Sequence, residues 1–174
     1  MSKLLIVIDV QNDFVSGVLG TPEAQAIIPK AKEKIAEYYE RGDKILFTRD
    51  SHDDRYLSTA EGKKLPIPHC IYGTEGWKIV SGLEVPGCSY IDKPTFGYPS
   101  WVYVLNKFDN PSEIEIIGLD TDICVVANAL IIKTFAPDTE ITVDASCCAG
   151  TTPEKHKAAL EVMKSCQINV VEGE

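Results

Sequence analysis

Short runs of hydrophobic residues alternate along this chain with segments whose hydrophobic positions repeat at helical spacing. Residues 3–8 begin with a lysine and continue with hydrophobic residues only, a pattern typical of a strand buried on both faces. Residues 29–41 are predicted to form a helix, because Pro29 suits a first helical turn and Gly42 suits a helix end.

The same alternation continues to the end of the chain. Further strands are predicted at 44–48, 89–92, 113–118, 140–143 and 168–171, and further helices at about 98–108, at about 122–135 and from 152 onward. This order predicts the α/β class, with a doubly wound, mostly parallel sheet covered by helices on both faces in three layers. We expect the strand order 3-2-1-4-5-6. No linker or repeat divides the sequence, so residues 1–174 are predicted to form a single domain.

Composition and charge narrow the possible partners. Hydrophobic residues make up 44% and charged residues 25% of the chain, as in ordinary globular proteins. The net charge of −9 argues against nucleic-acid binding, because a phosphate backbone would repel the surface. No hydrophobic run approaches the roughly 18 residues of a membrane span, and the first run ends at Asp9, too early for a signal-peptide core. We therefore expect a soluble, cytoplasmic protein that binds neither nucleic acid nor membrane.

The six cysteines are expected to be reduced thiols, because the chain is too large to need disulfides and carries no export signal. The adjacent Cys147 and Cys148 also allow a redox role, although packing beside a strand end is the favoured interpretation.

Chemically capable residues follow four of the predicted strands. Asp9 follows the first strand, Asp50 the second, Lys93 the third, and Cys124 lies in the turn after the fourth. Ligands of open α/β sheets bind beyond the carboxyl ends of the strands, where the strand order reverses. In the expected order the first and fourth strands are neighbours, so we predict that Asp9 and Cys124 face each other.

Cys124 is the candidate nucleophile. In the first turn of a helix, unpaired N–H groups and the helix dipole favour a thiolate and are expected to lower the thiol pKa. The same N–H groups can hold an oxyanion. Asp9 can accept the thiol proton and pass it to a leaving amine, while Lys93 keeps the carboxylate ionised. The alternative is that Cys124 is only a buried packing residue.

A second group of side chains predicts a metal site. Asp50 and His52 are two residues apart, so an extended chain points both the same way, and His69 lies in the long irregular segment 51–88. Two imidazoles and a carboxylate suit zinc or another divalent transition metal, and Glu61 offers a fourth ligand. The alternative is that Asp-x-His only caps a loop. The third histidine, His156, lies among lysines and is predicted to face solvent.

These residues together resemble the isochorismatase-like cysteine hydrolase family, and within it the nicotinamidases. The resemblance rests on residues 8–14 (D-x-Q-x-D-F), 48–52 (T-x-D-x-H), 68–74 (P-H-C-x-x-G-T), Lys93, and 118–125 (G-x-x-T-D-x-C-V). It implies a catalytic triad of Asp9, Lys93 and Cys124, in which the thiolate attacks an amide carbon, ammonia leaves and water hydrolyses the thioester. It also implies an oxyanion hole beside a cis peptide, here between residues 119 and 120, a metal that anchors a pyridine nitrogen, and a homo-oligomer.

The substrate-binding residues depart from that resemblance at several positions. Pro66 and Ile123 stand where nicotinamidases often have aromatic residues, although Phe14 and Phe96 remain available to sandwich a ring. Asp120 stands where many relatives have a small apolar residue and places an additional negative charge near the substrate.

The leading hypothesis is a metal-dependent amidase for nicotinamide, with another small amide, ureide or carbamoyl compound as the alternative substrate. Isochorismate hydrolysis is disfavoured, because a cysteine has no evident task in cleaving a vinyl ether. A non-catalytic metal-binding or ligand-binding relative is the third hypothesis, although all three triad positions are filled.

Overall fold

The computed structural model of this chain describes residues 3–172. Within that range the strands are β1 (Lys3–Ile8), β2 (Lys44–Asp50), β3 (Ser89–Lys93), β4 (Glu113–Leu119), β5 (Glu140–Ala149) and β6 (Asn169–Val171). The α-helices are α1 (Asn12–Val15), α2 (Pro22–Ala26), α3 (Ile28–Glu40), α4 (Ala60–Lys64), α5 (Trp101–Lys107), α6 (Val126–Phe135) and α7 (Pro153–Ser165). A 3-10 turn spans Tyr56–Ser58, and a π-helical turn, Thr121–Val125, leads directly into α6.

The strands form a parallel sheet in the order β3-β2-β1-β4-β5-β6, which confirms the predicted class and strand order. Alternate residues of β1 enter two hydrophobic cores, with Ile6 on one side and Val7 on the other. Helices α5, α6 and α7 cover the first core, and α1, α2 and α3 cover the second. The uninterrupted hydrophobic run of β1 follows from this burial on both faces.

The central strand delivers Asp9 to the middle of the carboxyl edge. Ile8, the last residue of β1, lies opposite Thr48 of β2 and Gly118 of β4. Gly118 has φ +126°, and a Cβ there would lie 2.1 Å from the carbonyl oxygen of Ile8. Only glycine therefore allows β4 to pass this close to β1, three residues before the turn Thr121–Val125 that carries Cys124.

Several element bounds differ from the sequence prediction. Helix α5 begins at Trp101, because Pro99 disfavours helical backbone at the residue before it. The helix predicted from about residue 122 begins instead as the π-helical turn. Strand β5 continues to Ala149, and its polar Asp144 hid this extension from the hydrophobic pattern. The short helices α1, α2 and α4 were not predicted, because segments of four or five residues carry too little periodicity.

The six cysteines, all within residues 3–172, are free thiols, as expected. Cys147 and Cys148 are buried, in agreement with the packing interpretation. None of the helices among the described residues combines the length and the hydrophobicity that crossing a membrane requires.

Candidate active site

Three chemically capable side chains meet at the carboxyl edge of the sheet, where the strand order predicted them. Asp9 directly follows β1, Lys93 ends β3, and Cys124 lies in the π-helical turn after β4. Lys93 Nζ is 2.5 Å from Asp9 Oδ2 and 3.4 Å from Cys124 Sγ. Asp9 and Lys93 have no exposed surface, and Cys124 keeps 4% of its own. The thiol therefore lies against a buried ion pair and not in hydrocarbon alone.

The two carboxylate oxygens of Asp9 have different partners. Oδ1 accepts a hydrogen bond from the hydroxyl of Thr48 at 2.6 Å, which leaves Oδ2 for Lys93. The backbone of Asp9 lies in the left-handed region at φ 47°, a conformation that aspartate tolerates better than most residues. Thr48 therefore fixes the carboxylate with one oxygen directed towards the cysteine and the lysine. Sequence reasoning assigned Thr48 no role.

Burial sets the protonation states of this group. Burial and the charge of Asp9 raise the pKa of the Cys124 thiol well above its ordinary value, although Lys93 opposes them. The expected lowering by the helix N-terminus is wrong, because desolvation of a thiolate outweighs a single turn of backbone dipoles. Burial also raises the pKa of Asp9 against the effect of Lys93. Burial lowers the pKa of Lys93, but Asp9 and Cys124 raise it by more. The resting site thus pairs a protonated thiol with a carboxylate of increased basicity.

The turn that carries Cys124 has a fixed backbone. The peptide bond between Leu119 and Asp120 is cis, at the position that the family resemblance indicated. The carbonyl of Asp120 then accepts hydrogen bonds from the N–H groups of Ile123 at 3.0 Å and Val125 at 3.1 Å. These bonds close the π-helical turn around Cys124.

Three polar contacts attach the same turn to the start of α7. The carboxylate of Asp122 accepts hydrogen bonds from the backbone N–H and the hydroxyl of Thr151, both at 2.7 Å. His156 Nδ1 lies 2.7 Å from the hydroxyl of Thr121. The prediction that His156 faces solvent is therefore wrong. The neighbouring lysines indicated an exposed helix, but they carried no information on which side of α7 packs against the turn.

Asn128, in α6, is a buried residue that sequence reasoning missed. Its Nδ2 donates to the carbonyl of Cys124 at 2.7 Å and to that of Phe96 at 3.0 Å. Its Oδ1 accepts from the backbone of Tyr98 and from the indole of Trp101, both at 2.8 Å. The side chain of Asn128 therefore joins the π-helical turn that carries Cys124 to the segment that follows Lys93. An asparagine inside an otherwise hydrophobic helix was the available indication.

The four predicted metal ligands form a compact cluster. Asp50 Oδ2 is 2.8 Å from His52 Nε2 and 3.5 Å from His69 Nε2. Glu61 Oε1 is 3.7 Å from His52 Nε2 and 3.8 Å from His69 Nε2. Ligand atoms around a tetrahedral ion with bonds of about 2.0–2.1 Å lie about 3.3 Å apart, so most of these distances need little adjustment. The alternative that Asp-x-His only caps a loop does not account for the convergence of all four side chains within 4.8 Å of one another.

Neighbouring groups orient the cluster. His69 Nδ1 lies 2.8 Å from the carbonyl of Ile67, which can only accept, so Nδ1 carries the proton and Nε2 is free to bind a cation. The side chain of Gln11 accepts from the N–H of Asp50 at 2.7 Å and donates to its carbonyl at 2.9 Å. Burial raises the pKa of Asp50, but His52, His69 and Lys93 lower it by more, so the carboxyl stays ionised. The donor set fits a divalent metal ion.

A cavity of about 320 Å³ connects Cys124 with the metal-type cluster. Cys124, Asp50, Glu61 and His69 all line it. The hydrophobic part of its wall comes from Phe14, Leu19, Leu65, Phe96 and Ile123. The predicted Phe14, Phe96 and Asp120 are thus placed at the cavity. Leu65 lies in the irregular segment 51–88 but was not itself predicted, and Leu19, Thr21 and Thr151 belong to segments in which no pattern indicated a site.

The chain is similar to known proteins over almost its entire length. The isochorismatase domain family matches residues 3–174. The nicotinamidase/pyrazinamidase of Mycobacterium tuberculosis is 27% identical, over 97% of this chain and 98% of that protein. The uncharacterized isochorismatase family protein PncA of Bacillus subtilis is 30% identical, over 92% of this chain and 93% of that protein.

A solved structure supports the same relationship. The pyrazinamidase of Pyrococcus horikoshii, crystallised in complex with zinc, superposes with a TM-score of 0.85 at 29% identity. The superposition covers 99% of this chain and 100% of that chain.

Proposed function

The chain belongs to the isochorismatase family, and from this premise we propose that it is a cysteine-dependent amidohydrolase that converts a small carboxamide to its acid and ammonia. The proposed substrate is nicotinamide. The observation that carries the proposal is the position of Lys93 Nζ, 2.5 Å from Asp9 Oδ2 and 3.4 Å from Cys124 Sγ, at the wall of a cavity of about 320 Å³. The nicotinamidase and pyrazinamidase names of its relatives support the choice of substrate class.

In the proposed mechanism Asp9 accepts the thiol proton as the sulfur of Cys124 attacks the amide carbon. The C–N bond then breaks, and Asp9 returns the proton to the departing nitrogen, so that ammonia leaves and a thioester remains. Water, deprotonated by Asp9, hydrolyses the thioester and restores the thiol. A base is necessary in the first step, because the pKa of the Cys124 thiol is raised. Lys93 stabilises the ionised form of Asp9, which serves as that base.

We propose that Asp50, His52, Glu61 and His69 hold one divalent metal ion, zinc in the first instance. When bound there, the ion supplies a coordination point for a ring nitrogen of the substrate. The hydrophobic side chains of Phe14 and Phe96, which line the same cavity, hold the ring between the cluster and Cys124. The location in the cytoplasm stays a prediction from the sequence, and the homo-oligomeric state stays an expectation from the family resemblance.

An ammonia-release assay tests the proposed function. Wild type is assayed on nicotinamide, pyrazinamide, a ureide, a carbamoyl amino acid and two aliphatic amides. We expect nicotinamide to give the highest kcat/KM and Cys124→Ala to reduce its turnover to background. Cys166→Ala, which removes an exposed thiol, is the matched control and keeps wild-type turnover.

Thermal unfolding of Cys124→Ala confirms that the variant is folded. Wild-type turnover by Cys124→Ala would contradict the nucleophile assignment. A preference for the ureide or the carbamoyl compound would select the alternative substrate class, and no hydrolysis of any amide would favour a non-catalytic binding protein.

A further inference from the structure

The carboxyl of Asp120 has no hydrogen-bond or ion-pair partner among the described residues of the protein. The residue lines the cavity beside Cys124. Its backbone carbonyl accepts hydrogen bonds from the π-helical turn that carries Cys124. Among residues 3–172, however, its side-chain oxygens make no hydrogen bond and no ion pair.

The other acids around the cavity are all paired. Asp9 has Thr48 and Lys93, and Asp122 has the backbone and hydroxyl of Thr151. Asp50 has two histidines. Asp120 is the exception among the carboxylates described at this edge of the sheet.

The unpaired carboxyl is in an unfavourable environment. Burial is the main cause that raises the pKa of Asp120 to about 7; the charges of Asp122 and Asp9 contribute to the rise, and His69 opposes it. A polar group beside hydrophobic walls is stabilised when a hydrogen-bond partner arrives. The part of the chain that the structure describes supplies none, so solvent or a ligand that enters the cavity is the source of a partner.

We propose that Asp120 is a specificity-determining residue that selects, among ring carboxamides, those carrying a second N–H donor, such as a ring amino group, that reaches its carboxyl from inside the cavity. The proposal deepens the proposed amidase function and rests on it. A site with a polar group left unpaired by one substrate and paired by another discriminates strongly between the two. Above about pH 7, where Asp120 is mostly ionised, amides that carry a carboxylate next to Asp120 are expected to be poor substrates, because the two negative charges repel each other.

Matched pairs of substrates test this selection. Amino and methyl groups have similar size, but only the amino group donates a hydrogen bond, so kcat/KM is compared for amino- and methylnicotinamides substituted at ring positions 2, 5 and 6. We expect wild type to prefer the amino compound of at least one pair by about tenfold or more, as for a hydrogen bond to a charged group. The preference should fall to within about twofold in Asp120→Ala.

Two further variants separate specific from general effects. Asp120→Asn keeps a carbonyl acceptor at the same place, so part of the preference should remain. Asp138→Ala removes an exposed carboxyl that lies outside the cavity and should keep the full preference. Thermal unfolding establishes that each variant is folded.

Binding to Cys124→Ala, measured by titration calorimetry, separates this inference from the proposed function. If the amino compounds bind more tightly than their methyl partners and Asp120→Ala in the same background removes the difference, the selection is supported even when wild type hydrolyses no amide. Equal affinities within every pair, a preference that survives Asp120→Ala, or no binding by any compound would overturn it.

Discussion

The ammonium group of Lys93 lies 2.5 Å from the carboxylate of Asp9 at a point where neither side chain has any solvent-exposed surface. Each charge is compensated mainly by the other, because water cannot reach them. The same ammonium lies 3.6 Å from Asp50 Oδ1, so one cation is shared between the pair of Asp9 and Cys124 and the metal-type cluster. Removing it is therefore expected to affect both stability and chemistry.

Lys93→Met tests this relationship, since methionine keeps the unbranched shape without the charge. We expect the free energy of unfolding to fall by about 3–5 kcal/mol, because the Asp9 carboxylate is left buried and unpaired. Ammonia release is expected to fall by about 100-fold or more through lost electrostatic stabilisation. Urea unfolding and the ammonia assay measure the two effects.

The double variant Asp9→Asn/Lys93→Met is the control for that experiment. It removes both charges and should recover a large part of the lost stability while activity stays absent. Additive losses of stability in the double variant would show that the pair is not coupled.

The sequence was sufficient to predict which side chains converge at the carboxyl edge of the sheet and in the metal-type cluster. Their positions follow from strand ends and from a strand order that parallel α/β sheets share, so Asp9, Lys93 and Cys124 needed no tertiary information beyond topology. The metal-type cluster was predictable for a related reason, because few residue types bind transition metals and two of the three histidines lie in one irregular segment.

What the sequence did not predict depends on packing. The hydrogen bonds of Asn128 and the inward position of His156 depend on how α6 and α7 pack against the π-helical turn that carries Cys124. The raised pKa of Cys124 has the same origin, because the extent of burial is a property of the whole fold. Asp13 is a further example. Its carboxylate accepts from the N–H of Cys70 at 2.8 Å and thus anchors the segment that carries His69, a role that its position in the quoted pattern did not indicate.

Metal binding is expected to depend on the cluster of Asp50, His52, Glu61 and His69. Wild type purified in zinc-containing buffer should hold about one divalent ion per chain. His69→Ala or His52→Ala should lower the affinity for the ion by at least about tenfold, so that less metal remains bound after dialysis. Elemental analysis after dialysis measures the metal content. His156→Ala, a histidine outside the cluster, should leave the metal content unchanged.

Removal of the metal is expected to abolish hydrolysis of nicotinamide while the protein stays folded, and added zinc should restore it. Full activity in a chelated, metal-free preparation would contradict a role for the cluster in substrate recognition.

Asn128→Ala is expected to destabilise the protein by about 2–4 kcal/mol, because buried polar groups on Trp101 and Cys124 lose their partner. The kcat should also fall, since the turn that carries Cys124 loses its connection to the segment after Lys93. Asn106→Ala, an exposed asparagine in α5, is the matched control and should change stability by no more than about 0.5 kcal/mol. Equal effects of the two substitutions would show that the buried amide carries no special role.

The last prediction concerns stability in acid. Burial raises the pKa of the Asp144 carboxyl, but hydrogen bonds from Ser146 and the ion pair with Lys34 lower it by more, so the folded-state pKa lies below the ordinary value. The stabilisation that Asp144 provides is therefore complete above its unfolded-state pKa, near 4, and is lost as pH falls through the lower folded-state value. Asp144→Asn should be less stable than wild type by about 1.5–3 kcal/mol at pH 7, the usual contribution of hydrogen bonds to a charged group.

Urea unfolding at pH 7, 5, 4 and 3 measures this difference, which should be constant from pH 7 to 5 and shrink below about pH 4 as the wild-type carboxyl takes up its proton. Asp138→Asn is the matched control, because the carboxyl of Asp138 is exposed and takes no part in the contacts of Asp144 with Ser146 and Lys34. A difference between wild type and Asp144→Asn that stays constant, or grows, as the solution is acidified would show that the charge of Asp144 does not stabilise the fold through Ser146 and Lys34.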